Sequence, residues 1–174
     1  MANIITIFFS LVLGFTNPSE EIKMEVQQEP VTTYYLIRHA EKDRSDSSNR
    51  NPDLKKEGLD RAKKWAEVLK DIEFDAVYST DYNRTIQTAK PLADQNKLEI
   101  IKYDASKLFD SNFENATKGK TVLVVGHSNT TPQFTNAILG EKKYENLDDS
   151  ENGALFIVQL MEDGTTLSQV IYIN

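Results

Sequence analysis

The sequence predicts an α/β fold, a single-domain three-layer sandwich around a mainly parallel mixed sheet, on three observations. Strand-like and helix-like patterns alternate from Val31 onward, as they do where helices cross over between parallel strands. Thr121 to Val125 (TVLVV) is almost wholly apolar, which implies burial on both faces in the middle of a sheet. The chain closes on two strand-like runs around Glu162-Asp163-Gly164, a hairpin that supplies an antiparallel edge.

The elements follow in order. Thr33 to Ile37 is a β-branched and aromatic run, hence a buried strand. Leu59, Ala62, Ala66, Leu69 and Ile72 recur at three- and four-residue steps, which predicts an amphipathic helix over Lys55 to Ile72. Asp75 to Ser79 is a short strand, and Asn83 to Asn96 a helix that Pro91 should kink or restart. Leu98 to Tyr103 reads as a third strand and Ser106 to Ala116 as a helix. After the Thr121 to Val125 strand, Thr130 or Thr131 can cap a helix with Pro132 at its first position and Gly140 at its end. Ala154 to Leu160 and Leu167 to Ile173 are the hairpin strands.

At 174 residues the chain suits one domain with a sizeable core. Apolar residues make up 39% and charged residues 27%, ordinary for a globular protein. A net charge of −7 argues against nucleic acid or an anionic membrane surface as the main partner, since both reward a basic face. A phosphate substrate stays open, because a few arginines in a cleft set the local potential. Without cysteine there is no thiol nucleophile, disulfide or cysteine-ligated metal.

Residues 1–19 read as an export segment, 20–31 as a linker and 32–174 as the folded domain. Ile4 to Phe15 is a 12-residue uncharged run. As a helix it would rise only about 18 Å, short of the roughly 30 Å hydrocarbon core, so it fits a secretory signal better than a membrane span. No Lys or Arg precedes it and no clear A-x-A site follows it. The competing readings are a buried N-terminal strand and an uncleaved anchor. The expected localisation is periplasmic or extracellular, with no stable membrane insertion after signal removal.

The chain has only two histidines, and both directly follow predicted buried strands: His39 after YYLIR and His127 after TVLVVG. Arg84 comes shortly after a third. In open α/β sheets ligands bind outside the carboxyl ends of strands, so three strand ends deliver two imidazoles and two guanidiniums to one rim. Taken singly, each is more ordinary: a hydrogen-bonded loop histidine, or a solvated arginine. Together they suit phosphoryl chemistry. Guanidinium binds phosphate bidentately and keeps its charge. Imidazole is a competent nucleophile near neutrality, more so beside arginines that favour its neutral form. A second imidazole can donate to the equatorial oxygens, and the helix after His127 should add backbone N–H donors.

Four segments then resemble, in order, the histidine phosphatase superfamily, or phosphoglycerate mutase-like family. Leu36-Ile37-Arg38-His39-Ala40-Glu41-Lys42 resembles its Arg-His signature. Asp53-Leu54-Lys55-Lys56-Glu57-Gly58 resembles a turn opening a helix with an early Gly, although Lys55 stands where the family usually has a capping Ser or Thr. Val77 to Ala89 resembles the segment supplying the second phosphate-binding arginine, and Val124 to Thr130 the one carrying the second histidine. The resemblance implies a phosphoglycerate mutase-like fold and the small-phosphatase branch. It makes His39 the nucleophile, with Arg38, Arg84 and His127 binding and polarising the phosphoryl group and Ser128 beside the substrate.

The acidic loop that carries a Glu proton donor in the mutases has no counterpart in this sequence. Asp104 is the nearest candidate by order, with a surface Asp as the alternative; Glu41 faces the pocket or serves a helix start or a salt bridge. The expected activity is hydrolysis of a phosphomonoester or phosphohistidine through a phosphohistidine on His39, on a phosphorylated small molecule or phosphoprotein, with no cofactor and no metal. The alternatives are a dedicated phosphohistidine protein phosphatase, a mutase, or a non-catalytic phosphate-binding or interaction module of the same fold.

Overall fold

A computed structural model describes residues 31–173, so the expected export segment 1–19 and all of the expected linker except Val31 lie outside the described residues. The elements in chain order are β1 (Thr32–Arg38), α1 (Lys56–Val68), β2 (Ala76–Ser79), α2 (Asn83–Asn96), β3 (Ile100–Lys102), α3 (Ser111–Thr117), β4 (Thr121–Gly126), α4 (Thr130–Leu139), β5 (Ala154–Leu160) and β6 (Thr166–Tyr172). One six-stranded sheet runs β3-β2-β4-β1-β5-β6. Its first four strands are parallel, and β5 and β6 add antiparallel.

Alternation along β4 explains the two covered faces. Val122 and Val124 point into a core with Tyr34, Leu36, Phe113 of α3 and Phe134 of α4. Leu123 and Val125 point the other way, against Ile37, Trp65 of α1 and Leu92 of α2. All four β4 side chains are essentially inaccessible, as the apolar run demanded. The helices after β1 and β4 therefore pack on opposite faces although the two strands are neighbours. That is the switch point where α/β sheets open a ligand crevice.

Several boundaries differ from expectation, each for a local reason. α1 ends four residues early, at Val68, and Leu69 caps it. Lys55 is its N-cap and makes no side-chain cap bond, as the missing Ser or Thr implied. Pro91 lies inside α2 without restarting it. α3 begins at Ser111 because Asp110 Oδ1 accepts from Phe113 N at 2.8 Å, while Asp104 turns the preceding segment. α4 is capped by Asn129, so Pro132 is its third residue and not its first; Gly140 ends it at φ 68°, a left-handed conformation that suits glycine.

Candidate active site

Parallel pairing of β1 with β4 places Arg38 opposite Gly126, so the two histidines leave adjacent strand ends together. His39 N donates to Gly126 O at 2.9 Å, and the two imidazole rings stand edge to face with centroids 5.5 Å apart. β2 flanks β4 on its other side and ends in Ser79-Thr80; Thr80 leads into α2, whose first turn carries Arg84. Arg38, His39, Arg84 and His127 thus converge on one crevice.

The peptide after His39 is clamped. Asn152 Nδ2 donates to His39 O at 2.8 Å, and Ala40 N donates to Thr88 Oγ1 of α2 at 2.9 Å. His39 Nδ1 lies 2.7 Å from Ala40 O. A carbonyl can only accept, so Nδ1 carries the hydrogen and Nε2 keeps its lone pair, the form a nucleophile needs. Burial pushes the His39 pKa from 6.5 down to about 3, outweighing the raising effect of the Ala40 carbonyl, and the charges of Arg38, His127 and Arg84 act in the same downward direction. His127 is pushed down to about 4, first by burial and then by Arg84, Arg38 and Lys42. Both rings are neutral at physiological pH.

The arginines differ in kind. Arg38 is 1% exposed, and its Nη1 donates to the carbonyls of Asp148, Asp149 and Glu151 at 3.0, 2.9 and 2.8 Å. Its Nη2 pairs with Asp149 Oδ1 at 2.8 Å, leaving buried Nε without a partner. Arg84 stacks on the Tyr82 ring, with Cζ 4.3 Å from the centroid, and both its Nε and its Nη1 are buried and unpartnered. An unsatisfied buried donor costs about 1–3 kcal/mol, more when charged. Three such guanidinium nitrogens from two arginines beside two imidazoles describe an oxyanion site. Of the two arginines expected to bind phosphate bidentately, only Arg84 keeps two nitrogens unpartnered, because Arg38 is held by the 148–151 segment. A cavity of about 310 Å³ opens from His39 past Lys42, Arg44 and Asp149.

Two expectations are altered, for Asp104 and the start of α4, and Glu41 takes up one of its expected alternatives. Asp104 is not brought to the site by any hydrogen bond or ion pair among the described residues. Its Oδ1 accepts from Ser106 N and Oγ at 2.9 and 2.8 Å, and those bonds lower its pKa, the wrong direction for an acid that must hold a proton. Glu41 lines the cavity, but its Oε1 takes Arg61 Nε at 2.8 Å, the salt-bridge alternative. The start of α4 is a poorer donor than expected: Thr131 N already bonds His127 O, and Pro132 has no N–H. Ser128 lies half-buried directly after His127, and its carbonyl accepts from Leu147 N at 2.8 Å.

Sequence reasoning missed Thr80, Tyr82, Asp149 and Asn152. Tyr82 lies within the arginine-bearing segment and stands perpendicular to His127 at 5.1 Å, and no periodicity marks it. Asp149 and Asn152 act through contacts more than a hundred residues away, which no local pattern encodes. Among the described residues no group of three or more His, Asp or Glu is placed to hold a metal ion, and no helix is long and apolar enough to cross a membrane.

No curated protein sequence matches the chain. Solved structures do match its fold. The protein histidine phosphatase SixA, complexed with tungstate, aligns at 18% identity and TM-score 0.63 over 80% of this chain and 96% of that one. A phosphoglycerate mutase from Bacillus anthracis aligns at 17% and 0.61 over 82% and 93%. A phosphoserine phosphatase from Entamoeba histolytica in complex with 3-phosphoglyceric acid aligns at 16% and 0.57 over 82% and 97%. The family model of the histidine phosphatase superfamily (branch 1) matches residues 34–107, which include Arg38, His39 and Arg84, while His127 lies beyond. The chain is thus similar in sequence to the histidine phosphatase superfamily over residues 34–107, and its α/β fold is similar to phosphoglycerate mutase-like structures.

Proposed function

We propose that the protein is a phosphatase that hydrolyses a phosphomonoester or a phosphohistidine through a covalent phosphohistidine on His39. The observation that carries this reading is the set of unpartnered, buried guanidinium nitrogens of Arg84 and Arg38 beside an imidazole whose Nε2 lone pair is free. His39 Nε2 attacks phosphorus as the bond to the leaving group breaks, and that group departs with the bonding electrons and acquires a proton. Arg84, Arg38 Nε and His127 hold the equatorial oxygens as charge redistributes. Water then attacks the phosphohistidine, releasing inorganic phosphate and restoring His39. Acid-quenched turnover should trap phosphate on His39, and His39→Ala should abolish both trapping and hydrolysis; turnover with no phosphate on His39 would remove the nucleophile from this scheme.

The second reading, a preference for phosphohistidine, is favoured by the fate of the carboxylates. Glu41 pairs through Oε1 with Arg61 while its Oε2 is buried and unpartnered, Asp149 pairs with Arg38 and Arg44, and Asp104 with its own turn. A missing general acid leaves alkoxide departure about 10²–10⁴-fold slower, whereas an aryl oxide or a phosphorylated imidazole escapes most of that loss. Comparing an alkyl phosphate, p-nitrophenyl phosphate and a phosphohistidine peptide tests it, and equal rates on all three would refute it. We also propose that residues 1–19 direct export of domain 32–174; an intact Met1 recovered in the cytoplasm would refute that.

A further inference from the structure

Thr85 Oγ1 lies 2.9 Å from the carbonyl oxygens of both Thr80 and Tyr82. Carbonyls only accept, so its single hydrogen is committed to them. Thr80 Oγ1, 3.0 Å from Thr85 Oγ1, must then donate to it. Having used its own hydrogen, Thr80 Oγ1 can only accept in its 2.9 Å contact with His127 Nε2. The ring hydrogen therefore sits on Nε2, and Nδ1 is bare. Both hydroxyls are buried, with Thr80 2% and Thr85 0% exposed, so water does not compete for these bonds. His39 has the opposite arrangement, with its hydrogen on Nδ1.

We propose that Thr80, backed by Thr85, is a positioning residue that locks the hydrogen of neutral His127 on Nε2, so that His127 donates to a bound oxyanion through Nδ1 only after taking up a second proton. The tautomer lock stands on the hydroxyl geometry alone; the oxyanion half rests on the proposed phosphatase reading. The charges acting on His127 all oppose that proton: Arg84 from α2, Arg38 from β1 and Lys42 after it, with His39 and the Tyr82 ring close beside it. A bound dianion reverses the balance, and the proton arrives from solvent with it. Nothing else is transferred and no bond to carbon or phosphorus changes.

The untagged full chain has two histidines, so ring-¹⁵N labelling yields two imidazoles, assigned by His39→Ala. At neutral pH the His127 ring should show its hydrogen on Nε2 and that of His39 on Nδ1. Sulfate, a dianion that binds no proton near neutrality, should convert His127 to the doubly protonated ring. Its affinity should fall towards about tenfold per pH unit above neutrality, the signature of one linked proton. Thr80→Val keeps the shape and removes the acceptor: His127 should shift its hydrogen to Nδ1 and the pH dependence of sulfate binding should flatten, while Thr80→Ser keeps both. A wild-type His127 protonated on Nδ1 overturns the proposal without any variant. So does sulfate binding that is independent of pH, or a Thr80→Val protein with an unchanged tautomer. If sulfate does not bind, the oxyanion site and the proton-uptake half fall together, and the ring tautomer of the free protein still decides the lock.

Discussion

Gly58 sits in the first turn of α1, where a helix former would normally help: replacing Gly by Ala inside a helix gains up to about 1 kcal/mol. Here the opposite sign is expected. A Cβ at position 58 would lie 2.2 Å from the backbone oxygen of Glu41 and 3.0 Å from its carbon and nitrogen, closer than side chains tolerate. That oxygen cannot swing aside freely, because it accepts from Lys55 N at 2.9 Å. Relief needs a shift of the helix or of the strand-end segment by roughly 1 Å, and overpacking of this kind costs about 1–3 kcal/mol or more. Weakening the Lys55 bond adds about 1 kcal/mol. Set against the propensity gain, the net expectation for Gly58→Ala is a loss of about 1–3 kcal/mol, or about 2–12 °C in Tm for a chain of this size. Glu41 is two residues from His39, so p-nitrophenyl phosphate hydrolysis well below the transition should also fall. Thermal unfolding followed by circular dichroism reads the first effect. An unchanged or higher Tm would mean that helix propensity outweighs the contact and that this approach does not constrain the nucleophile segment.

Three further outcomes are expected. Arg84→Ala should lower kcat/KM by about 10²–10³-fold, the usual loss on removing a charge-stabilising donor, and Arg84→Lys should restore only part because it cannot bind bidentately; equal activity of all three proteins would show that Arg84 does not touch the phosphoryl group. His39 is held neutral in the fold well below its ordinary pKa of 6.5, so on acidification the unfolded chain takes up a proton first and stability falls as the pH drops below about 6.5. Between pH 7 and pH 5, above the carboxylate range, His39 should contribute a loss on the order of 2 kcal/mol to urea unfolding, which His39→Asn removes while the comparable contribution of His127 stays; an identical pH dependence in the variant would contradict it. Extensive chelation should leave hydrolysis intact, whereas loss restored by a divalent cation would point to a metal-assisted hydrolase.

The parts of the fold legible in the sequence are those in which a residue's neighbours along the chain decide its surroundings. The apolar run of β4 announced a central strand, and the two histidines at the ends of YYLIR and TVLVVG did meet, because parallel strands in register end together. Helix α2 kept its predicted bounds despite Pro91. At α3 a single side chain set the boundary: Asp110 capped it later than its pattern suggested. At α4 the N-cap position fell on Asn129 in place of Thr130 or Thr131, without a side-chain cap bond. Asp104 drew attention by its place after a strand, yet a nearby serine was enough to occupy its carboxylate. The role of Arg38 was the least legible: a strand-end arginine gives no hint that three distant carbonyls will claim its Nη1.

Those carbonyls also set the order in which the protein can become active. The bonds from Arg38 reach residues 110, 111 and 113 positions further along the chain, and the strand pairing that unites the two histidines is itself long-range. Loops of that length close late, after local helices have formed. A chain emerging from the ribosome can build α1 and α2 early, yet it presents an incomplete crevice until β4 has inserted beside β1 and the segment to Glu151 has followed. On the proposed phosphatase reading, competence for phosphoryl chemistry is then among the last properties the folding chain acquires, and a nascent or truncated form should remain inert however much secondary structure it contains.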